Sequence, residues 1–287
     1  MNKSKNILIT GASSGIGSDL CKSFIQAGYT VFGSVRKQAD ADRLQTELGA
    51  QFHPLLFDVT DHGAVDKAAT ELTEKIGHEG LRGLINNAGI ALGGPFAYVD
   101  IGEFRLQFEV NVIGLVKVTQ AFLPLLGMQK NHPSAPGKII MMSSLTGKVA
   151  MPFISPYVGS KHALEGISDS LRRELLLFGI DVVVIGPGAI KTPIWNKGAD
   201  DPRNAAFFKT PWAESLGIFQ KVFVLNSIKK GWTAEYLAEK VLAIFQKEKP
   251  KTRYALVPQR FENWTLPRLL PARRFDKMIG KGLRLVK

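Results

Sequence analysis

The sequence contains few of the side chains that build disulfides and metal sites. Cys21 is the only cysteine among 287 residues, so no disulfide can form within the chain. The five histidines are scattered and form neither an HExxH motif nor a Cys/His cluster, which argues against a metal. No apolar run approaches the roughly 18 residues of a membrane span, and the apolar run near the N-terminus is too short for a signal peptide. We therefore expect a cytoplasmic protein without a metal.

The composition is otherwise that of a soluble globular protein, with 45% hydrophobic and 22% charged residues. The length suits one large domain, and we expect residues 1–287 to form it. The net charge of +12 is concentrated near the C-terminus, because residues 247–287 hold twelve Lys or Arg and only three Asp or Glu. With a nearly neutral body and no nucleic-acid-binding motif, we expect no nucleic-acid partner. The basic extension over 258–287 could pack on the body or on a partner subunit, or it could contact an anionic membrane as a peripheral protein.

The spacing of two polar residues near the middle of the chain indicates acid/base chemistry. Tyr157 and Lys161 lie four residues apart in a helical pattern, so both side chains should share one helix face. A nearby ammonium favours the phenolate, and we expect Lys161 to lower the pKa of Tyr157 from its ordinary value of about 10. A large drop would need a partly closed site and a second positive charge, such as an oxidised nicotinamide ring. Ser144 could hold a substrate oxygen beside the phenol. The three side chains predict a catalytic site, although a tyrosine–lysine pair at this spacing is also common on ordinary helices.

A glycine-rich turn after the first predicted strand, residues 6–10, predicts a nucleotide site. Glycines allow the backbone to approach a pyrophosphate, and the free amides at the start of the following helix point towards it. The spacing is GxxxGxG, which differs from the commonest dinucleotide-binding fingerprint. We expect cofactor contacts from Gly11, Ser13, Ser14, Gly15, Ile16 and Gly17.

The end of the second predicted strand, Thr30–Val35, bears on the choice of cofactor. An acid at this position would hold the ribose hydroxyl groups of NAD, but the chain has Arg36 and Lys37 instead. The planar guanidinium of Arg36 could bind a 2′-phosphate, which favours NADP(H) and leaves NAD(H) as a second choice. The alternative is that both cations are only solvated. After the third strand, Asp58, followed by Val59, could accept a hydrogen bond from the adenine amino group.

Apolar strands alternate with helical patterns along most of the chain. This alternation predicts an α/β fold with a doubly wound parallel sheet and helices on both faces, which gives three layers. Ligands of such sheets bind at the carboxyl ends of the strands, where the motifs described above fall.

Taken together and in order, these motifs resemble the short-chain dehydrogenase/reductase family over about residues 5–193. The residues that carry the resemblance are Thr10, Gly11, Gly15, Ile16, Gly17, Asp58, Asn86, Asn87, Ala88, Gly89, Asn111, Ser144, Tyr157, Lys161, Pro187 and Gly188. The resemblance implies a Rossmann-type sheet of about seven strands in the order 3-2-1-4-5-6-7. It also implies an oxidoreductase that transfers a hydride between NADP(H) and an alcohol or ketone.

The same resemblance implies roles for individual residues. Tyr157 is the general acid/base, Ser144 holds the reacting oxygen, and Lys161 tunes Tyr157 and binds the nicotinamide ribose. Asn111 holds a water in a proton relay. Further cofactor contacts are implied at Asn87, Ala88, Gly89, Pro187, Gly188, Ile190 and Thr192. Family members of this kind suggest a homodimer or a homotetramer.

Residues 193–231 resemble the substrate lid of the family and are rich in aromatic and aliphatic side chains. They predict an apolar pocket for a hydrophobic alcohol or ketone of steroid-like or retinoid-like character. The expected substrate contacts are Ser144, Phe153, Tyr157, Ile194 and Trp195. Two alternatives stay open. One is a 3-oxoacyl-carrier-protein reductase, whose acidic partner a basic surface could attract. The other is a sensor that binds NADP without chemistry.

Overall fold

A parallel sheet of seven strands forms the centre of the computed structural model, which describes residues 4–129, 134–192, 202–225 and 229–286. The strands of this sheet are β1 (Asn6–Ile9), β2 (Thr30–Val35), β3 (Phe52–Leu56), β4 (Gly83–Asn86), β5 (Lys138–Met142), β6 (Asp181–Pro187) and β9 (Arg253–Leu256). A separate pair of two-residue strands, β7 (Ile190–Lys191) and β8 (Trp232–Thr233), lies between β6 and β9 in the chain.

The strand order is β3-β2-β1-β4-β5-β6-β9, and every neighbouring pair is parallel. The predicted order is therefore confirmed, with β9 as the seventh strand of the sheet. The predicted bounds of the second strand, Thr30–Val35, match the structure.

Helices cover both faces of the sheet. In chain order they are α1 (Gly15–Gln26), α2 (Gln38–Leu48), α3 (His62–Ile76), α4 (Ile101–Phe108), α5 (Gly114–Phe122), α6 (Ser155–Glu174), α7 (Pro202–Phe207), α8 (Ala213–Ile218), α9 (Ala234–Phe245), α10 (Leu266–Leu269) and α11 (Ala272–Gly282). Side chains of α1, α2 and α9 pack with Ile7 and Ile9 of β1, whereas α3, α5 and α6 pack with Leu8 on the opposite face. This alternation along a buried strand gives the predicted three layers.

The helical segment between β4 and β5 is interrupted. Helix α4 ends at Phe108, a π-helical turn spans Glu109–Ile113, and α5 ends at Phe122 before a short turn of 3₁₀ helix. The wider turn accommodates the buried Asn111, whose side chain is hydrogen-bonded to the backbone of Ile90. Gly114 follows it at a point where a Cβ atom would lie 2.7 Å from the carbonyl oxygen of Val59. Such π-helical turns are frequent at functional sites.

The basic C-terminal extension folds back on the body. Phe275, Ile279 and Leu283 are spaced at intervals of four residues, and all three pack on apolar side chains of the body. The basic residues Arg273, Arg274, Lys277 and Lys281 are exposed. Packing on the body, one of the alternatives for this segment, is therefore what the structure supports. Among the described residues no helix is both long and apolar enough to cross a membrane.

The division into one domain with a lid and a C-terminal extension stays a prediction. Residues 193–201 and 226–228 of the expected lid lie outside the described residues, as do residues 130–133 of the surface loop before β5.

Candidate active site

The backbone of the glycine turn after β1 is packed so closely that its glycines could not be replaced by larger residues without a clash or backbone strain. Gly11 and Gly15 have φ angles of 68° and 56°, in the left-handed region that favours glycine. A Cβ atom on Gly17 would lie 2.1 Å from the carbonyl oxygen of Gly11. Ser14 is the N-cap residue of α1, but its hydroxyl group makes no capping hydrogen bond. It therefore does not occupy the amides of the first helical turn. These features fit the pyrophosphate of a dinucleotide.

A hydrogen-bond network joins this turn to the end of β4. The hydroxyl oxygen of Thr10 accepts from the amides of Asn87 and Ala88, both at 2.9 Å. The Asn87 side-chain amide donates to the carbonyl oxygen of Thr10 at 2.9 Å. A Cβ atom on Gly11 would lie only 3.0 Å from the Cα of Ala88. The two predicted cofactor segments therefore form one rigid unit.

The predicted adenosine contacts also come together. Arg36 and Asp58 extend from the ends of neighbouring strands, and their side chains lie 3.6 Å apart at an exposed position. The other carboxylate oxygen of Asp58 accepts from the amide and the hydroxyl group of Thr60. Val59 is different, because its side chain is buried in the core and only its backbone is available to a cofactor. Two thirds of the Arg36 side chain is exposed (66%), so an incoming anion can reach the guanidinium from the solvent.

The predicted catalytic residues meet at the carboxyl end of β5. The Ser144 hydroxyl group lies close enough to the Tyr157 phenol to lower the pKa of that phenol. The Lys161 ammonium lies 5.8 Å from the centroid of the Tyr157 ring and donates to the carbonyl oxygen of Met142 at 2.8 Å. Ser143, by contrast, points its hydroxyl group to a buried position without a hydrogen-bond partner among the described residues. Ser144 is thus the serine of this pair that faces the phenol.

Burial controls the electrostatics of this cluster in the absence of cofactor. It raises the pKa of Tyr157 above its ordinary value, and the effect of Ser144 only partly opposes this. Desolvation of the phenolate is the larger effect among the protein's own groups, and the lowering expected beside a charged nicotinamide stays a prediction. Burial also lowers the pKa of Lys161 to about 8, against an opposing attraction from Glu165.

Asn111 contributes through its place in a buried network. Its side chain accepts from the amide of Ile90 at 2.9 Å and donates to the Ile90 carbonyl oxygen at 3.0 Å and to Ser160 at 3.1 Å. Ser160 in turn donates to the carbonyl oxygen of Tyr157 at 2.8 Å. Asn111 therefore ties the π-helical turn to the catalytic helix, and its role in a water relay stays a prediction.

The expected nicotinamide contacts follow β6. Gly188 donates to the carbonyl oxygen of Leu256, and a Cβ atom there would lie 3.0 Å from side-chain atoms of Val257 and Pro258. Pro187 ends β6, Ile190 is buried in β7, and Thr192 is half-buried at the edge of the described residues.

Phe153 is part of an apolar cluster beside the catalytic helix. Its φ angle of 65° is unusual for a residue other than glycine and marks local strain just before α6. The ring packs on Phe219 with a centroid distance of 5.7 Å. The other buried members of this cluster are Phe207, Leu216 and Leu283. Ile194 and Trp195, the remaining predicted substrate contacts, lie outside the described residues.

The geometry can be compared with known proteins. A family model described as short chain dehydrogenase matches residues 5–203. The chain belongs to the short-chain dehydrogenase/reductase family. It is 42% identical over 278 residues, 96% of each chain, to a protein of Ornithobacterium rhinotracheale named NADPH-dependent 3-dehydrocapnine reductase. The family and the oxidoreductase class predicted from the sequence are thereby confirmed.

Solved structures of the same family share the fold. A short-chain dehydrogenase from Streptomyces avermitilis superimposes with a TM-score of 0.78 at 27% identity, covering 100% of this chain and 99% of that one. A closed form of serine dehydrogenase complexed with NADP+ gives a TM-score of 0.74 at 25% identity, covering 88% of this chain and 95% of that chain.

Several residues around the site were not predicted from the sequence. Gln107 is fully buried and binds the backbone of Ile90 and Leu92, and Arg43 donates to the carbonyl oxygen of Ser13 in the glycine turn. Glu165 and Arg253 form a buried ion pair behind Ser144. One sequence signal was available for Glu165, because it lies one turn after Lys161 on the same helix face.

We expect the substitution Arg36→Asp to shift cofactor preference from NADPH towards NADH by about tenfold to a hundredfold, the equivalent of one charge-assisted hydrogen bond. Ratios of kcat/KM for the two cofactors measure the shift. Lys37→Asp is the matched control, since it changes the same charge one residue further on. An unchanged ratio in the Arg36 variant would show that this guanidinium is only solvated.

The low pKa of Lys161 predicts a pH-dependent stability. Below about pH 8 the folded protein must bury a charged ammonium, and this cost fades as the pH rises from 8 towards the unfolded value of 10.5. The free energy of unfolding of the wild type should therefore rise relative to that of Lys161→Met by about 2 kcal/mol between about pH 7 and pH 9.5. Urea unfolding at both pH values measures it. A constant difference between the two proteins would contradict the assignment.

Proposed function

We propose that this chain is an NADPH-dependent reductase that converts a hydrophobic ketone to an alcohol. The observation that carries the proposal is the meeting of Ser144, Tyr157 and Lys161 at the end of β5, where the Lys161 ammonium lies 5.8 Å from the centroid of the Tyr157 ring. The name of the relative from O. rhinotracheale and the exposed guanidinium of Arg36 support NADPH as the cofactor.

The residues of the site suit reduction. NADPH, when bound, supplies the hydride. Because burial raises its pKa, Tyr157 stays protonated at neutral pH and can donate the phenolic proton to the oxygen of the ketone. A proton donor must lie within hydrogen-bond reach of that oxygen, and the phenol lies beside Ser144, which would bind the same oxygen.

Ser144 and Lys161 stabilise the charges that develop. The Ser144 hydroxyl group can donate to the ketone oxygen as negative charge builds up on it. The ammonium of Lys161, held by the Met142 carbonyl oxygen, stabilises the phenolate that remains on Tyr157 after proton transfer. The charged form of Lys161 is available at neutral pH because its pKa is about 8.

The apolar cluster around Phe153 supports a hydrophobic substrate. Phe153, just before α6, and Phe207 of α7 are each 8% exposed and belong to the same apolar cluster. Since 3-dehydrocapnine is named as the substrate of the relative with 42% identity, it is the first ketone to assay. Steroid, retinoid and acetoacyl-thioester carbonyls complete the panel. Turnover of the thioester alone would support the carrier-protein reductase instead.

We expect Tyr157→Phe to lower kcat for the ketone by about 10²- to 10⁴-fold, the usual contribution of general acid catalysis, while NADPH binding changes little. Initial rates at 340 nm and fluorescence titration of NADPH measure the two quantities. Tyr236→Phe, which removes a hydroxyl group from an exposed ring on α9, is the matched control. Normal turnover by the Tyr157 variant would overturn the mechanism, and a wild type that binds NADPH but reduces no carbonyl would favour a sensor.

A homo-oligomer is part of the proposal. Helix α4 packs on α6, and exposed apolar side chains extend from both regions: Leu106 is 50% exposed, and Leu176 and Leu177, just after α6, are 74% and 83% exposed. A second copy of the chain would cover such a surface. We do not extend the proposal to membrane contact, because Phe275, Ile279 and Leu283 of the basic extension already pack on the body.

The double substitution Leu176→Glu and Leu177→Glu should convert the oligomer to a smaller species, since it places charge in an apolar contact. Light scattering coupled to size-exclusion chromatography gives the masses. Leu269→Glu is the control, because Leu269 is similarly exposed (73%) but lies in the C-terminal extension. A wild type that elutes as a monomer would contradict self-association.

A further inference from the structure

A buried carboxylate lies behind the catalytic serine. Glu165 is 4% exposed and sits one turn after Lys161 on α6. A charge at such a position is costly unless it is paired and hydrogen-bonded. Its partner is Arg253 at the start of β9, whose Nε atom lies 2.8 and 3.0 Å from the two carboxylate oxygens and whose Nη2 atom lies 2.9 Å from one of them.

Two glycines make room for this ion pair. A Cβ atom on Gly186 would lie 2.5 Å from Nη2 of Arg253, and one on Gly147 would lie 3.0 Å from Oε1 of Glu165. The pair thus occupies space between β6 and the turn that follows Ser144.

The ion pair contacts the segment Ser144–Val149 at several points. Nη2 of Arg253 lies 3.5 Å from the carbonyl oxygen of Ser144. The Lys148 ammonium lies 3.5 Å from Oε2 of Glu165. Together these contacts tie the turn that carries the catalytic serine to the helix that carries Tyr157.

A residue of the C-terminal extension covers the pair. Trp264 is 7% exposed, packs with Val149, and lies with its ring centroid 4.4 Å from the guanidinium carbon of Arg253. Arg268 lies 4.6 Å from the same centroid. The indole therefore shields the Glu165–Arg253 pair from water, which strengthens the attraction between its charges.

We propose that the Glu165–Arg253 ion pair, covered by Trp264, is the positioning element that holds Ser144 beside Tyr157. Neither residue touches the reacting atoms. The pair acts because it spans the two parts of the site whose spacing matters, the turn after β5 and helix α6. Its effect on catalysis rests on the proposed reductase function, while its effect on the turn does not.

Three variants test the pair. Arg253→Gln removes the guanidinium, and Arg253→Lys keeps a charge but loses the planar, two-pronged geometry. The double variant Glu165→Gln with Arg253→Gln removes both charges, so it leaves no unpaired carboxylate in the interior and remains usable if the single variant fails to fold. Arg172→Gln is the matched control, because Arg172 pairs with Asp169 further along the same helix.

We expect Arg253→Gln and the double variant to lower kcat by about 10- to 100-fold, the cost of a small misplacement of a catalytic group. The dissociation constant of NADPH should stay within about threefold, and Arg253→Lys should recover part of the rate. Hydrogen exchange followed by mass spectrometry should show faster exchange in peptides covering residues 143–149, but not in those covering β1 and α1. Arg172→Gln should match the wild type in both measurements.

A folded double variant with a kcat within about twofold of the wild type would overturn the proposal, and so would unchanged exchange over residues 143–149. If the wild type reduces no ketone, the proposed function fails, and the exchange measurement alone then decides whether the pair holds the turn.

Discussion

The buried ammonium of Lys161 is the constraint around which the active site is arranged. Lys161 is 4% exposed, and its charge is tolerated because it donates to the carbonyl oxygen of Met142, the last residue of β5, and is attracted to Glu165. This contact holds α6 against the carboxyl end of β5. Together with the Glu165–Arg253 pair, it brings Ser144, two residues beyond Met142, beside Tyr157. Removing the ammonium would take away the contact between α6 and the carbonyl oxygen of Met142.

The remaining parts of the site depend on close approach of backbone. The glycine turn can pack on the end of β4 only because Gly17 has no Cβ atom, and Thr10 and Asn87 then fix the distance between the two strands. The cofactor cleft is thus set by the sheet, whereas the catalytic cluster is set by one charged side chain. The cofactor cleft and the catalytic cluster adjoin at Gly89, which lies close to Asn111 and Lys161.

The parts that could be predicted from the sequence are those encoded locally. The parallel sheet follows from the alternation of apolar strands and helices, and the meeting of Ser144, Tyr157 and Lys161 follows from motifs at fixed spacing. The strand order is what the family resemblance implies, and each of these features is found in the structure. The π-helical turn at Asn111 could not be predicted, because it depends on a hydrogen bond to Ile90, which lies 21 residues away. The rise in the Tyr157 pKa that burial causes in the absence of cofactor could not be predicted for a similar reason, since burial is a property of the whole fold.

The C-terminal extension shows the same limit of local patterns. Its composition left open packing on the body, packing on a partner subunit and contact with a membrane. In the structure Trp264 packs with Val149 and Leu283 with Phe219, residues that precede them by more than sixty positions, and Arg284 pairs with Glu214 beside the apolar cluster. The sequence shows where the charged residues of the extension lie, but it does not show which residues pack on its apolar helix face. The extension therefore belongs to the environment of the active site.

The measurement that tests the central claim most directly follows the hydride itself. Wild-type protein is incubated with 3-dehydrocapnine and NADPH carrying deuterium at carbon 4 of the nicotinamide, and the product is analysed by mass spectrometry. We predict one deuterium on the carbon that bore the ketone. When the label is placed in the solvent instead, we predict no deuterium on that carbon. A reduced product that takes its carbon-bound hydrogen from solvent, or no reduced product with any carbonyl of the panel, would contradict the account.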